Sequence, residues 1–241
     1  GNSFSEFGTT SNERGFYTGL TLYAIPKTTI STYFDLYESY WMKYTSNKPV
    51  KGSDFLLQGE YSLSRKIRLS LRYKTESKNE NSSNPSTIKE DIIVQTNKVR
   101  LNAEWDPNDH FMFRFRTEWS GILKDDSLNQ GWLILTDISA KTTSGKFSAN
   151  ARVAWYYTGN YDSRIYAYEN DLPANFNIPA YYNNGLRYYL NLKYKMWKNL
   201  SLYFKLSQTR YLNQYNSIGS GYSQISENHK TELKLQLRFI F

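Results

Sequence analysis

The chain has 241 residues, a formal net charge of +8, 17% aromatic residues including 22 tyrosines, and no cysteine. The missing thiol excludes a disulfide framework, a thiolate metal site, a cysteine nucleophile and a lipidated N-terminal cysteine, and with no run of about 18 apolar residues there is no transmembrane helix. A mean hydropathy of -0.67 is low for a chain so rich in rings, and a membrane barrel wall reconciles the two: alternate residues face lipid, the rest face a wet lumen, and Tyr and Trp gather at both interfaces.

Strand periodicity of two recurs along nearly the whole chain. Arg14–Ala24 is the first predicted strand, Ile25–Lys27 a tight turn and Thr28–Glu38 the returning strand, with a polar loop through Asn47–Pro49 to Gly52. Phe55–Tyr61 and Lys66–Thr75 pair across Ser62–Arg65. A long loop of roughly Glu76–Asn97 follows, carrying the polar run Asn79–Pro85 typical of exposed segments. Lys98–Trp105 and Phe111–Trp119 flank the turn Asp106–Asp109, and after a loop around Lys124–Gln130 the strands Trp132–Ala140 and Lys146–Tyr157 flank Thr142–Gly145. A long extracellular loop at about 158–185 leads to Leu186–Met196 and Leu200–Tyr211, which flank Lys198-Asn199. In the closing strand Leu233, Leu235, Leu237, Phe239 and Phe241 fall on one face, opposite Glu232, Lys234, Gln236 and Arg238. Residues 1–241 thus read as one all-β unit, an antiparallel transmembrane β-barrel.

Bacterial barrels place tight turns in the periplasm and long loops outside. With Phe241 at the periplasmic rim, every short turn falls inside and every long loop outside. The count is about eleven strands where a complete barrel has an even number. Either Asn2–Thr10 adds a weak twelfth strand, or the chain is the C-terminal part of a larger even-stranded barrel. The second is favoured, because residues 2–10 are short and alternate poorly. The opening GNSFSEFG, without Met or a signal segment, points to a processed or partial product.

With the apolar set facing lipid, the inward set is rich in cations: Arg68, Arg72, Lys74, Lys98, Arg100, Arg114, Arg116, Arg152, Arg187, Lys193, Lys195, Lys205, Lys234 and Arg238. Inward acids are fewer: Asp35, Glu60, Glu104, Glu118 and Glu232. Such a lining forms either a cross-linked polar plug, since confined charges must be paired, or a passage for an anionic ligand drawn by the summed potential. Cations spread around a wall are not the concentrated basic patch with stacking aromatics that nucleic acid requires.

No enzyme signature emerges. His110 lies beside a periplasmic turn, and His229, near Glu227, is the one candidate for rim catalysis, though a lone rim histidine is far more often a solvated interfacial residue. Asp125-Asp126 and Glu90-Asp91 lack the spaced oxygen ligands of a calcium loop, and Gly219-Ser220-Gly221 lacks the strand-to-helix context of a phosphate loop. No cofactor or metal is expected.

The last third carries more than periodicity. Tyr161-Asp162-Ser163-Arg164-Ile165-Tyr166-Ala167-Tyr168-Glu169-Asn170 is followed by Ile178-Pro179-Ala180-Tyr181-Tyr182 and Gly185-Leu186-Arg187-Tyr188-Tyr189, then by Ile218–Gly221 and the closing strand. Together these resemble the C-terminal barrel region of Bacteroidetes helix-hairpin-helix domain-containing, competence-protein-like outer-membrane proteins. The match is dense from about Arg152 onward and departs at Asp171–Asn177 and at Asn183-Asn184. No helix-hairpin-helix segment lies in this sequence, so any DNA contact the resemblance implies belongs to a part absent here. The Tyr161–Tyr182 loop is rich in aromatic residues and stiffened by Pro173 and Pro179. Arg164 is expected opposite Asp162 and Glu169. The loop serves either as a lid folded back over the barrel mouth or as a set of aromatic anchors for a partner or glycan.

These features lead to one expectation and one alternative. The expectation is a non-enzymatic outer-membrane β-barrel of a Gram-negative bacterium, a structural or accessory subunit of an envelope assembly. Its partners would be outer-membrane lipid, including lipopolysaccharide, and other envelope proteins. The alternative is a channel or uptake pore for an anionic solute or DNA.

Overall fold

The computed structural model describes residues 12–43, 45–82, 90–212, 217–219 and 221–240. The possible twelfth strand, Asn2–Thr10, and the terminal Phe241 lie outside the described residues. The long strands are β1 (Glu13–Leu22), β2 (Thr28–Lys43), β3 (Ser46–Ser64), β4 (Ile67–Asn81), β5 (Asp91–Asn108), β6 (Phe111–Lys124), β7 (Ser127–Lys141) and β8 (Phe147–Thr158). Two short strands follow, β9 (Ile165–Tyr166) and β10 (Ala180–Tyr181), and then β11 (Asn184–Lys195), β12 (Leu200–Tyr211) and β13 (His229–Phe239). The eleven long strands form one sheet in which each neighbour is the next long strand in sequence, an up-and-down meander, while β9 and β10 pair only with each other. This is the all-β, antiparallel architecture that the periodicity predicts.

The strands are longer than their apolar patterns. β3 and β5 have 19 and 18 residues, about 60 Å at ~3.3 Å per residue, whereas a tilted strand crosses a bilayer in about 9–11 residues. The predicted loop at Glu76–Asn97 is therefore mostly strand: β4 continues to Asn81 and β5 starts at Asp91. Over Thr75–Asn81 of β4 every side chain is polar, so no apolar alternation marks the strand although the backbone ladder persists. Lys78 holds this extension by pairing with Glu76 at 3.2 Å and Glu80 at 3.4 Å. The predicted loop at Lys124–Gln130 shrinks to a turn at Asp125-Asp126, whose φ values of 50° and 57° fit the mirror-image hairpin turn that matches strand twist.

The described residues group into two compact units. One is drawn from Gly1–Tyr61, Ser70–Arg100 and Trp119–Gln130. On its outer face Phe16, Leu20, Phe34, Leu36 and Leu57 are exposed, while on its inner face Asp54 is buried, accepts from Tyr33 Oη at 3.2 Å and pairs with Lys74 at 2.6 Å. The other unit is drawn from Ser62–Leu69, Leu101–Glu118 and Gly131–Phe241. There the alternation is sharp: Val153, Trp155 and Tyr157 of β8 are exposed, and Arg152, Ala154, Tyr156 and Thr158 are buried.

Candidate functional site: a hairpin laid on the inner wall

The connection between β8 and β11 belongs to the second unit and folds into a hairpin. Its first turn is fixed by Ser163, whose Oγ donates to the Asn160 carbonyl at 3.0 Å and whose N–H donates to Asn160 Oδ1 at 3.1 Å. Ile165 then pairs with Tyr181 and Tyr166 with Ala180, and a bridge joins Glu169 to Asn177. The tip closes through the Asn175 N–H donating to the Leu172 carbonyl at 3.0 Å, with Ala174 at φ 67°.

Cations from five wall strands grip one edge of this hairpin. Arg116 of β6 donates to the Tyr166 carbonyl at 3.2 Å, Arg152 of β8 to the Tyr168 carbonyl at 2.6 Å, and Lys205 of β12 to the Asn170 carbonyl at 2.9 Å. Asn191 of β11 adds a second bond to the Asn170 carbonyl at 2.8 Å. The alternate side chains supply carboxylates. Glu169 accepts from Arg187 Nε and Nη2, at 2.7 and 2.9 Å, and pairs with Lys205 at 2.8 Å. Asp171 pairs with Lys234 of β13 at 2.9 Å and with Lys205 at 3.3 Å. Behind this row Arg152 forms a two-pronged bond to Asp137 of β7 at 2.6 and 2.7 Å. The Tyr189 ring lies 5.5 Å from the Arg152 guanidinium and 5.1 Å from the Lys205 ammonium, the geometry of cation–π attraction.

Glu169 and Lys205 are both fully buried. Charges so placed are tolerated only when paired and hydrogen-bonded, and removing one member leaves its partner stranded at high cost. Burial raises the affinity of the Glu169 carboxyl for its proton, but the bonds and charge of Arg187 and Lys205 outweigh it and hold the group below the ordinary carboxylate range. At Asp171 burial is likewise outweighed, by Lys234, the Leu172 N–H and Lys205. A depressed folded pKa gives stability that is complete above the unfolded value and lost as pH falls through the folded one. The hairpin is therefore expected to stay seated at neutral and mildly acidic pH and to release only below about pH 4. Amide exchange of residues 165–181, corrected for the intrinsic pH dependence, measures this.

Apolar packing seals the other side. Leu133 and Leu135 of β7, Ala154 and Tyr156 of β8 and Tyr211 of β12 form a core with Ile165, Ala167 and Tyr181 of the hairpin. Gly131 permits the close approach, since a Cβ there would meet the Ser163 carbonyl oxygen at 2.3 Å. Because that obstacle is backbone, Gly131→Ala is expected to lift the start of the hairpin and cost about 1–3 kcal/mol, read as a lower thermal midpoint.

Of the predicted inward cations, Arg116, Arg152, Arg187, Lys205 and Lys234 converge on the hairpin. In the same unit Arg68 and Arg114 both pair with Glu104, at 2.9 and 2.8 Å, and Lys193 lies 5.6 Å from the Tyr203 ring. Lys195 and Arg238 are exposed near the Met196–Asn199 turn and the end of β13. In the first unit Lys74 pairs with Asp54, Arg72 Nε donates to Gln58 at 2.5 Å, and Lys98 and Arg100 lie half-buried on the same face of β5.

Within the loop, Arg164 lies 4.3 Å from the Tyr161 ring and donates to Tyr166 Oη at 2.7 Å. Glu169 is not opposite Arg164 as expected: strand alternation turns it to the wall, where two buried cations compete for it. Asp162, Tyr161, Tyr166 and Tyr168 are exposed, Tyr182 is half-buried with its ring 5.3 Å from that of Tyr161, and Tyr181 is buried. His229 Nδ1 lies 3.4 Å from Asn228 Oδ1, an amide and not an acid. Sequence reasoning missed Asp137, Asp171 and Asn191, and missed that Leu133 and Leu135 face inward.

No family model and no curated protein sequence matches this chain. Solved structures do. The open form of the ferric-catecholate import receptor Fiu from E. coli K12 matches with TM-score 0.55 at 10% identity, covering 93% of this chain and 48% of that one. Its closed form gives 0.54 at 9% identity over 93% and 46%. The copper transporter OprC gives 0.58 at 11% identity over 94% and 42%. The chain thus spans a little under half the length of these proteins. At such identities the likeness concerns the fold alone, and that fold is the outer-membrane β-barrel of Gram-negative bacteria.

Proposed function

We propose that this chain is a non-enzymatic outer-membrane barrel protein with a structural or accessory role in an envelope assembly, its inner face occupied by its own hairpin. The observation that carries this reading is the seating of Tyr166–Asp171, in which three successive alternate carbonyls and two carboxylates are all taken by wall cations. A basic lining offered to a passing anion would keep its cations available, and here five of them are committed to the chain itself. Membership of the helix-hairpin-helix domain-containing family is part of the proposal, on the motifs around Tyr161–Tyr189, and any DNA contact would belong to a part of such a protein outside this sequence.

A second reading, a channel for an anionic solute in which the hairpin is a gate, is favoured by one observation. A polar cleft of about 260 Å³ lies beneath the hairpin tip, lined by Met112, Arg114, Asp137, Ser139, Asn150 and Asn170. Conductance in planar bilayers separates the two. The structural role predicts no steady current from the native protein and a stable current once Ala167–Ile178 is replaced by a short Gly-Ser linker. A steady anion-selective current from the native protein would overturn it.

A further inference from the structure

A charged row stands on the outer face of the first unit, directly above its apolar column. Glu38 of β2 is opposite Arg14 of β1 and Lys51 of β3 in the strand register. Arg14 reaches the Glu38 carboxylate at 2.6 and 2.9 Å, and Lys51 reaches its other oxygen at 3.3 Å. One carboxylate faces two cations, so the row keeps a positive charge. Both cations remain largely open, with side chains 68% and 71% exposed.

Position decides what this row meets. Below it on the same face lie Phe16, Leu20, Phe34, Leu36 and Leu57, exposed as a lipid-facing surface is. The tight β1–β2 turn marks the periplasmic end, and Glu38 comes ten residues after β2 begins at Thr28, the length at which a tilted strand of about 9–11 residues has crossed the membrane. Tyr40, Trp41 and Met42 are exposed just beyond, and Arg14 lies 4.8 Å from the Tyr40 ring, as interfacial aromatics do. A groove of about 360 Å³ runs between the cations, walled by Arg14, Gly15, Leu36, Tyr37, Glu38 and Lys51. Thus an apolar wall rises to two cations at the level of the outer-leaflet headgroups.

We propose that Arg14 and Lys51 bind a phosphoryl group of an outer-leaflet glycolipid, whose acyl chain lies along Leu36 and Phe16. Cation-to-phosphate bonds are charge-assisted and strong where water is scarce. Glu38 sets the spacing of the two cations and competes with the phosphate for them. The inference rests on the outer-membrane placement and is independent of whether the barrel is structural or a channel.

Native mass spectrometry of the full chain, extracted from outer membranes and exchanged into detergent with phosphorylated or dephosphorylated lipid A, tests it. The native protein is expected to retain the phosphorylated lipid about tenfold better, Arg14→Gln/Lys51→Gln to lose that preference, and Glu38→Gln to increase it. The Glu38 variant carries the test even if the double variant folds poorly, since it moves retention in the opposite direction. Equal retention of the two lipids, no response to either variant, or displacement by millimolar inorganic phosphate would overturn the assignment. Fractionation of all variants with the outer membrane checks location separately.

Discussion

Replacing Glu169 with Gln is expected to unseat the hairpin. The substitution keeps size and shape but strips the charge that Arg187 and Lys205 share, and Lys205 is fully buried. Removing one member of a buried ion pair typically costs about 3–5 kcal/mol. Asp171 also touches Lys205, at 3.3 Å, so the loss should fall toward the lower end. The absence of native cysteine provides a reporter: Ala167 is 1% exposed in the hairpin core, and a thiol there reacts only when the hairpin opens. In the Ala167→Cys background, Glu169→Gln should speed maleimide labelling at least about 100-fold, which corresponds to roughly 3 kcal/mol at about 1.4 kcal/mol per tenfold. An unchanged rate would mean that the ion pairs do not hold the hairpin.

The second large effect concerns Arg152, which joins wall and hairpin through different nitrogens. Its Nε and Nη2 bind Asp137 and its Nη1 binds the Tyr168 carbonyl. Arg152→Leu leaves buried Asp137 with only Arg114, at 4.0 Å, as a counter-ion, so the cost should fall toward the lower end of the about 3–5 kcal/mol typical of a broken buried pair. Adding Asp137→Leu removes the stranded charge, so the double variant should regain most of the wall stability. It should not regain the hairpin, since the Tyr168 carbonyl still lacks a charged donor worth about 1.5–3 kcal/mol. Thermal unfolding follows the wall and Ala167→Cys labelling follows the hairpin. The pair of readouts should diverge in the double variant, and parallel recovery would show that Arg152 acts only through Asp137.

The wall was legible because lipid and lumen impose a strict alternation on β8, β11 and β13. The same alternation put on one face the five cations that grip the hairpin, Arg116, Arg152, Arg187, Lys205 and Lys234. What they grip was not legible, since three of the acceptors are carbonyls of Tyr166, Tyr168 and Asn170, which every residue carries. The carboxylates were visible as residues, but nothing local distinguishes Glu169 facing Arg164 from Glu169 facing Arg187 across the loop. A usable signal did exist in β7. Trp132-Leu133-Ile134-Leu135 is a continuous apolar run, the mark of a strand covered on both faces, so something had to cover its inner side. The same parity would have placed Asp137 inward. The extensions of β3, β4 and β5 carried only weak signals: beyond Thr75 β4 is polar on both faces, and in β3 and β5 only Val50 and the short run Ile92-Ile93-Val94 are apolar, with Val50 and Val94 buried.

The claim that the hairpin lies on the inner wall is tested most directly by comparing two single thiols in the otherwise cysteine-free chain. Ala167 is buried against β7 and β8, whereas Phe176, near the same tip, is 78% exposed. With a membrane-impermeant maleimide at neutral pH, Phe176→Cys should label promptly and Ala167→Cys should stay protected until the protein is denatured. Equal, rapid labelling at both positions would contradict the account.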